Sequence, residues 1–571
     1  MWGSPLRSRA QRTGTEGPRR ARAHAGYAAT VVAGDLQRDS RESVSGAPAD
    51  PQPPGLDSAE RRRLHAIRRF GTVGALLMAL GALGAGAAPV YNPVLDIQVL
   101  SLLPRMPTVA LSCAFSGMGM VVLAWLWLGR LVRPGRPRLL TRSQLNRTLL
   151  MWAVPLALAP PMFSRDAYSY LAQCKITALG LDPYRLGPAQ ALGIADPLVR
   201  GIPNIWRNTP APYGPLFLTV CRGVPGIAGN HVVTGVLLQR LLELFGLALI
   251  VWALPRLARR FGVAPVSALW LGAANPLVLW HLVAGAHNEA LMLGLMLAGF
   301  EIALHRFPIV GKGDPVARAT RAELLYLALG VTVISLGASV KIPAAAALGF
   351  LGVMVARRWG GRFRHLALAA LSMLLLSGAV IAIISIGSGL GFGWINALST
   401  PGMIRSWIAP TTAVGFLAGG LGIALHLGNH TDATIATARL LGAVGYVALS
   451  IKLLWDSFRG RLQPMVGLGL CLGVIVVLGA SVQPWYLLWA AIPLAAGAGT
   501  SRFRTVAAGV SAVVALLVPP TGSTFDGHQY VLPEAYIGAL IVLVITVLLV
   551  RKRIPIWPWS RSAPATPQSL K

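Results

Sequence analysis

The sequence predicts an all-α polytopic membrane protein with about 14 transmembrane helices and a large outer loop that carries short amphipathic helices. The chain has 571 residues, of which 54% are hydrophobic and only 12% are charged, whereas soluble domains contain about 25% charged residues. Apolar stretches of the roughly 20 residues that a bilayer requires recur from Phe70 almost to Val550. The bilayer is therefore the expected solvent for most of the chain.

The two ends of the chain are predicted to be cytoplasmic tails. Residues 1–66 are rich in Arg, Ser, Gly, Ala and Pro, and so few large apolar residues cannot form a core, which predicts a disordered basic tail. An apolar segment begins only at Phe70, so no cleavable signal peptide is predicted, and a start codon placed too far upstream is an alternative. Residues 555–571 form the second tail, which leaves 67–554 as the transmembrane domain.

The basic residues set the predicted orientation. The net charge is +31, and Arg and Lys lie between the apolar segments, as expected if cytoplasmic loops retain them during insertion. A consistent alternation results when both termini are cytoplasmic and residues 411–427 do not cross, so that segment is predicted to be re-entrant or peripheral. A nucleic-acid binder would instead gather basic residues on a folded surface. Membrane lipid is therefore a predicted partner and nucleic acid is not.

The longest connection between spans, residues 164–231, is predicted to lie outside the cell membrane. Loops of this length are usually functional or disordered. Its aromatic residues Trp206, Tyr213 and Phe217 argue against disorder. Cys174 and Cys221 both lie in this loop and have the opportunity to pair. Free thiols are nevertheless the expectation for all four cysteines, because the other two lie in hydrophobic segments and no metal-ligand spacing occurs.

Asp166 is the candidate catalytic base. It follows the third predicted span directly, in the segment Ser164-Arg165-Asp166, at the outer membrane surface. Glycosyl transfer to a hydroxyl needs a carboxylate that accepts the proton and a cation or hydrogen-bond donor that stabilises the leaving phosphate. A solvated acid or a salt bridge with the adjacent Arg165 is the competing interpretation.

Two cations are candidates for binding the donor phosphate. Lys341 is one of six lysines and interrupts a long apolar stretch at its predicted outer end, and charges within membrane segments are costly. A lysine that reaches the headgroups is its alternative interpretation. Arg405 lies in another predicted outer segment, where an interfacial anchor is the alternative.

Two further polar groups occur at predicted outer turns. His287, Asn288 and Glu289 lie between two apolar runs, where they either cap helices or bind sugar hydroxyls and assist proton transfer. The second group consists of Gln483, Trp485 and Tyr486. It suits either recognition of a pyranose ring or an aromatic belt at the membrane interface. The sequence contains no P-loop and no D-x-D pattern. No metal-ligand spacing occurs either.

Four short segments follow one another along the chain at predicted outer positions. They are Ser164-Arg165-Asp166-Ala167-Tyr168-Ser169-Tyr170, Ala211-Pro212-Tyr213-Gly214-Pro215-Leu216, Gly285-Ala286-His287-Asn288-Glu289 and Gln483-Pro484-Trp485-Tyr486. In this order they resemble the GT-C superfamily of polyprenyl-phosphate-sugar glycosyltransferases. The full set looks like that of the actinobacterial α-1,6-mannosyltransferases of lipomannan synthesis, and the similarity covers about residues 70–553.

The resemblance implies a GT-C-type helix bundle that transfers mannose with inversion. The donor would be polyprenyl-phosphate mannose, and the acceptor the 6-hydroxyl of a mannosylated glycolipid on the outer face of the plasma membrane. Asp166 would be the base, and the two candidate cations, Lys341 and Arg405, would bind the donor phosphate. The expected sugar or acceptor contacts are Arg165, Tyr168, Tyr213, His287, Asn288, Glu289, Gln483, Trp485 and Tyr486.

Several alternatives stay open at this point. No cofactor and no resident metal are required, although Mg²⁺ or Mn²⁺ shared with the donor phosphate is an alternative. A GT-C enzyme for another sugar would present the same local chemistry. A secondary transporter or lipid-linked sugar flippase is the rival from a different class, and it would place polar residues near the bilayer midplane on broken helices.

Overall fold

The computed structural model describes residues 55–136, 138–308, 318–522 and 530–551. All regular structure within these ranges is helical, which confirms the predicted all-α class. The predicted tail segments 1–54 and 555–571 lie outside the described residues. The first helix begins at Ser58, inside the range 1–66 that was predicted as a tail, because Asp57 and Glu60 form a capping box there.

Within the described ranges, seven helices are long and apolar enough to cross a membrane, or eight if a bent pair counts as one span. The predicted number of about 14 is higher because it also counted shorter apolar helices. The helix Arg142–Leu158, for example, has 17 residues and is about 25 Å long, less than the roughly 30 Å of a hydrocarbon core. The polytopic class is confirmed, but this length test supports only about half of the predicted spans.

The first half of the chain contains the long connection, residues 164–231, and a π-helical turn at Val278–Ala284. A 3-10 turn at Pro93–Asp96 follows the first helix. In chain order the α-helices are α1 (Ser58–Ala85), α2 (Leu102–Arg105), α3 (Pro107–Leu131), α4 (Arg142–Leu158), α5 (Asp166–Ala178), α6 (Pro188–Leu192), α7 (Pro197–Gly201), α8 (Asn204–Arg207), α9 (Pro215–Cys221), α10 (Val224–Ala228), α11 (Val232–Arg260), α12 (Pro265–Gly272), α13 (Glu289–Leu304) and α14 (Arg321–Ala338).

The second half contains two 3-10 turns, at Ile342–Ala345 and Pro484–Tyr486. Its α-helices are α15 (Ala346–Arg358), α16 (Phe363–Gly387), α17 (Trp394–Ala397), α18 (Thr400–Met403), α19 (Pro410–Ala424), α20 (Thr431–Phe458), α21 (Pro464–Leu478), α22 (Leu487–Gly497), α23 (Ser501–Leu517) and α24 (Val531–Val550). The segment predicted not to cross the membrane forms the 15-residue helix α19. Its topology stays a prediction.

Small residues bring the long helices of the first half into close contact. A β-carbon on Gly246 of α11 would lie 2.3 Å from the carbonyl carbon of Ala290, and one on Gly294 of α13 would lie 2.3 Å from the carbonyl oxygen of Gly246. Such distances leave no room for a side chain at either position. Glycine therefore sets the separation of α11 and α13, which is how membrane helices commonly approach each other.

A buried arginine on α11 joins three chain segments behind the site. Arg240 is 1% exposed and donates to the carbonyls of Ala157 and Ala159 at 2.8 and 2.7 Å. It also donates to the carbonyls of Val283 and Ala284 at 3.0 and 2.9 Å. The last carbonyls of a helix have no partner within it. One guanidinium thus satisfies carbonyls at the ends of α4 and of the π-helical turn and holds the two ends together.

The long connection is ordered by five short helices, α6 to α10, and by a disulfide. Cys174 on α5 and Cys221 on α9 are bonded, with a Cα–Cα distance of 5.2 Å. The expectation of free thiols is wrong for this pair, because packing of α9 on α5 joins two cysteines that are 47 positions apart. Cys113 and Cys471 are free, as expected.

Candidate active site

Asp166 is the first residue of α5. Its backbone N–H donates to the hydroxyl of Ser164 at 3.2 Å, and Phe163, just before this turn, has a φ of 67°. Positive φ is unfavourable for a bulky residue, and strained backbone is concentrated at functional sites. The turn leaves the Asp166 side chain 15% exposed, so its carboxylate is largely enclosed and still accessible.

His287 lies beside Asp166, although the two are far apart in the chain. Its Nδ1 is 3.5 Å from the carboxylate of Asp166 and 3.4 Å from the hydroxyl of Tyr170. Its Nε2 is 3.3 Å from the hydroxyl of Ser164. Ala286, the preceding residue, has a φ of 53°. Both segments that form this contact therefore carry a non-glycine residue in the left-handed region, one position before His287 and three positions before Asp166.

A break between two helices positions His287 and its neighbours. The π-helical turn and α13 meet at an angle of 108°, and the N–H of His287 donates to the carbonyl of His281 at 3.1 Å. Asn288 and Glu289 are fully buried at this break. Among the described residues, neither amide atom of Asn288 nor Oε2 of Glu289 has a hydrogen-bond partner. Buried polar atoms without partners are costly, so this break is a natural place for ligand contacts.

Lys341 forms an ion pair with Glu289. The lysine side chain is 16% exposed and the glutamate is fully buried. Three aromatic rings surround the ammonium group, with centroid distances of 4.8 Å for Tyr486, 5.5 Å for Trp489 and 5.8 Å for Tyr213. A buried lysine with these partners is held in place, which differs from a lysine that reaches out to lipid headgroups.

Close backbone contact places Tyr213 next to Lys341. The N–H of Gly214 donates to the carbonyl of Val340 at 3.0 Å, and that of Leu216 to the carbonyl of Ser339 at 3.0 Å. A β-carbon on Gly214 would lie 2.1 Å from the Ser339 oxygen. The glycine in Ala211-Pro212-Tyr213-Gly214 is therefore required for this approach.

Trp485 closes the site from the second half of the chain. Its ring stacks on His287 at a centroid distance of 3.8 Å and an angle of 21°. Tyr486 follows it and stacks on Trp489 at 4.3 Å. The 3-10 turn Pro484–Tyr486 thus places one aromatic ring on the histidine and the next ring over the lysine.

Burial and charge tune the acid–base behaviour of Asp166. Burial and the nearby Glu289 carboxylate raise the pKa of Asp166 to about 7, and Lys341 opposes them. An ordinary aspartate has a pKa near 4. A carboxyl group with a pKa near 7 exchanges protons readily at neutral pH, which is the property that general base catalysis requires.

The structure brings together seven of the twelve predicted site residues through direct contacts. These are Asp166, Tyr213, His287, Glu289, Lys341, Trp485 and Tyr486. Asn288 lies within the same turn.

The remaining four have other contacts. Arg165 donates to the carbonyls of Gly522 and Gly201, and Tyr168 to that of Ala87. The exposed Arg405 pairs with Asp432 at 2.9 Å, and Gln483 accepts the N–H of Tyr486 through its backbone carbonyl. Arg165 and Tyr168 thus support the loop that carries Asp166.

Sequence reasoning did not single out Arg240 or Glu243. Glu243 is fully buried on α11 and accepts the N–H of Leu291 at 3.3 Å in the first turn of α13. Both side chains are ionisable groups within an apolar helix, which is the signal that was available for finding them. His281 and Tyr170 gave no comparable signal, because only the fold brings them to His287.

No group of three or more metal-ligating side chains occurs in the part of the chain that the structure describes. The expectation that no resident metal is required stays a prediction.

Comparison with known proteins identifies two matched regions. A family model described as Alpha-(1->6)-mannopyranosyltransferase, N-terminal domain, matches residues 68–357, which include Asp166, His287 and Lys341. A model described as MptB C-terminal domain matches residues 411–548, which include Trp485. No solved structure gives a significant match.

Three curated relatives resemble the chain over most of its length. A probable alpha-(1->6)-mannopyranosyltransferase of Mycolicibacterium smegmatis is 46% identical over 90% of this chain and 92% of its own. An alpha-(1->6)-mannopyranosyltransferase of Mycobacterium tuberculosis is 44% identical, with coverage of 90% and 91%. Alpha-(1->6)-mannopyranosyltransferase B of Corynebacterium glutamicum is 35% identical, with coverage of 90% and 86%.

Proposed function

This chain belongs to the alpha-(1->6)-mannopyranosyltransferase family, and from that membership we propose the following reaction. The protein transfers mannose from polyprenyl-phosphate mannose to the 6-hydroxyl of a mannosylated glycolipid of the lipomannan type, on the outer face of the plasma membrane. The observation that carries the proposal is the convergence of a carboxyl group of near-neutral pKa, Asp166, with the buried pair of Lys341 and Glu289.

Asp166 is the base in this proposal. The acceptor 6-hydroxyl gives its proton to the Asp166 carboxylate as its oxygen attacks the anomeric carbon of mannose. The bond between that carbon and the phosphate oxygen breaks, and polyprenyl phosphate leaves with the bonding electrons. Displacement in one step inverts the configuration, so a single carboxylate is sufficient. Protonated Asp166 then loses its proton to water, which a pKa near 7 makes rapid at neutral pH.

Lys341 stabilises the leaving phosphate. In the structure its ammonium group pairs with Glu289 and its side chain is 16% exposed, so phosphate oxygens from the donor would reach it through that exposed part. Negative charge develops on the phosphate as the glycosidic bond breaks, and a fixed cation there lowers the barrier. Because Lys341 supplies this cation, the proposal needs no resident metal.

Aromatic and amide groups supply sugar contacts. The rings of Tyr213 and Tyr486 flank Lys341, and Trp485 covers His287. The unpartnered amide of Asn288 can both donate to and accept from sugar hydroxyls. Nothing in these contacts selects mannose over an epimer, so the choice of sugar rests on the family.

The disulfide supports the outer location. Cys174 and Cys221 lie in the same long connection as Asp166, and disulfides persist in oxidising compartments outside the cytoplasm. The basic loops at the opposite ends of the spans point to the same orientation. Polyprenyl-linked donors suit this side, because nucleotide sugars are cytoplasmic.

Transfer assays with an Asp166→Asn variant test the proposal. Membranes containing wild type are expected to move labelled mannose from polyprenyl-phosphate mannose to a mannosylated lipid, and Asp166→Asn should lower the rate by about 10²–10⁴-fold. Wild-type activity should fall about tenfold from pH 8 to pH 6, since only ionised Asp166 accepts the proton.

Asp196→Asn is the matched control, because this carboxylate lies in the same connection but pairs with Lys175. Equal rates in wild type and Asp166→Asn would remove Asp166 from the reaction.

The bent pair of helices favours one alternative function. A break of 108° within an apolar segment is also the form of a substrate site in secondary transporters. Wild type that transfers no sugar from any lipid-linked donor, yet moves lipid-linked mannose across proteoliposome membranes, would establish that alternative.

A further inference from the structure

A groove lies between α1 and α24, with α3 as its floor, far from the candidate active site. Its volume is about 570 Å³. Phe70 and Val73 of α1, Met120 of α3 and Val550 of α24 form its apolar part. The groove is open to the surroundings of the helices, where the bilayer would lie. It is thus a slot for an elongated apolar group such as an acyl chain.

One end of the groove is basic. Arg62, His65 and Arg69 line it, and their spacing places all three on one side of α1. All three side chains are exposed. Within the described ranges neither Arg62 nor Arg69 forms an ion pair.

The acidic residues nearby are already paired. Glu60 pairs with Arg136, and Asp57 pairs with Arg138 at 2.6 Å. Both carboxylates belong to the start of α1. The positive charge at the end of the groove is therefore not neutralised by these neighbours and is available to an anion.

The groove is separate from the Asp166 region. Arg69 precedes Ala85, the last residue of α1, by 16 positions, which correspond to about 24 Å along the helix. Just beyond that end, the carbonyl of Ala87 accepts a hydrogen bond from Tyr168 on α5. A phosphate bound at Arg62 and Arg69 therefore lies near the opposite end of α1 from the residues that we assign to glycosyl transfer.

We propose that this groove binds an anionic phospholipid from the leaflet next to the basic helix ends. The phosphate contacts Arg62 and Arg69, His65 adds a hydrogen bond, and one acyl chain lies along Phe70, Val73 and Met120. Basic pockets between membrane helices are a common means of recognising acidic headgroups. A zwitterionic lipid brings its own cation and gains less from these arginines. This inference does not depend on the proposed glycosyl transfer.

Lipid titration of the purified full chain, followed by native mass spectrometry, tests the proposal. Phosphatidylglycerol is compared with phosphatidylcholine of the same acyl chains and with polyprenyl phosphate. Arg62→Gln combined with Arg69→Gln should weaken phosphatidylglycerol binding by about 25-fold, or about fivefold for each arginine. The control is Arg61→Gln with Arg133→Gln, which removes two exposed charges that do not line the groove.

A second variant tests the apolar part without a change in charge. Val73 is 48% exposed, so Val73→Trp is expected to fold normally and to block the slot, which would abolish the tight phosphatidylglycerol site. Equal phosphatidylglycerol affinity in the double variant and its control would overturn the proposal. Equal affinity of wild type for the two phospholipids would also overturn it, and so would selective occupation of the groove by polyprenyl phosphate.

Discussion

The long helices of the first half are packed inside the protein, whereas those after Phe363 face mostly outward. In α1, α3, α11 and α14, between 44% and 72% of the most apolar 18-residue stretch of the helix is buried. In α16, α20 and α24 the corresponding share is between 11% and 17%. Both sets are strongly apolar, so composition does not distinguish a helix that faces lipid from one that packs on other helices.

The difference shows which half builds the site. In the part of the chain before Phe363, Gly246 and Gly294 bring helices together, Arg240 gathers carbonyls, and Glu289 and Lys341 form a buried ion pair. The second half contributes aromatic rings: Trp485 contacts His287, and Tyr486 and Trp489 flank Lys341. The chemistry thus depends on close packing and buried charge in one region, and the other region covers it.

The buried ion pair gives the largest expected effect of a single change in the first half. Lys341→Met leaves the buried Glu289 carboxylate without its partner, and we expect a loss of about 3–5 kcal/mol in unfolding free energy. Adding Glu289→Gln removes the unpaired charge and should restore most of the stability. Transfer should stay lost in both variants, because the leaving phosphate has no cation.

Thermal unfolding in detergent and the transfer assay separate these two roles. A double variant as unstable as Lys341→Met would show that the ion pair does not explain the loss. A stable double variant with normal transfer would exclude Lys341 from phosphate binding.

The sequence predicted the fold class and most of the residues that meet at the site, but not the contacts that hold them together. Hydropathy identified the helices, and the order of short polar segments brought Asp166, His287 and Trp485 under one interpretation. Lys341 was found separately, as a charge within an apolar stretch. Helix length and apolarity support only about half of the predicted spans, because several apolar runs end after 11 to 17 residues, as α22 and α4 do. The link between Cys174 and Cys221 depends on packing between α5 and α9, which their spacing does not reveal.

Local sequence did not reveal the direction of two basic side chains. Arg405 has the right charge, but it pairs with Asp432 at an exposed position. Arg165 adjoins Asp166 in the chain, yet its guanidinium turns to the carbonyls of Gly522 and Gly201. Side-chain direction decides both cases, and it is set by tertiary contacts.

Two glycines on long helices test the difference in packing directly. Gly246→Ala places a β-carbon 2.3 Å from the Ala290 backbone, and overpacking of this kind costs about 1–3 kcal/mol. Gly378→Ala on α16 meets nothing within 4 Å, so stability should stay the same or rise by up to about 1 kcal/mol through helix propensity. Equal unfolding temperatures for the two variants would contradict the assignment of α11 to the interior.

Trp485→Phe measures what the second half adds to the site. The tryptophan is 7% exposed and stacks on His287, and aromatic pairs contribute about 0.5–1.5 kcal/mol. A phenyl ring retains part of the contact, so kcat/KM should fall by about two- to tenfold while the unfolding temperature changes little. Trp407→Phe is the control, because Trp407 is 67% exposed and stacks only on Phe416 among the described aromatic residues. If both variants kept wild-type kcat/KM, the Trp485 ring would cover His287 without taking part in catalysis.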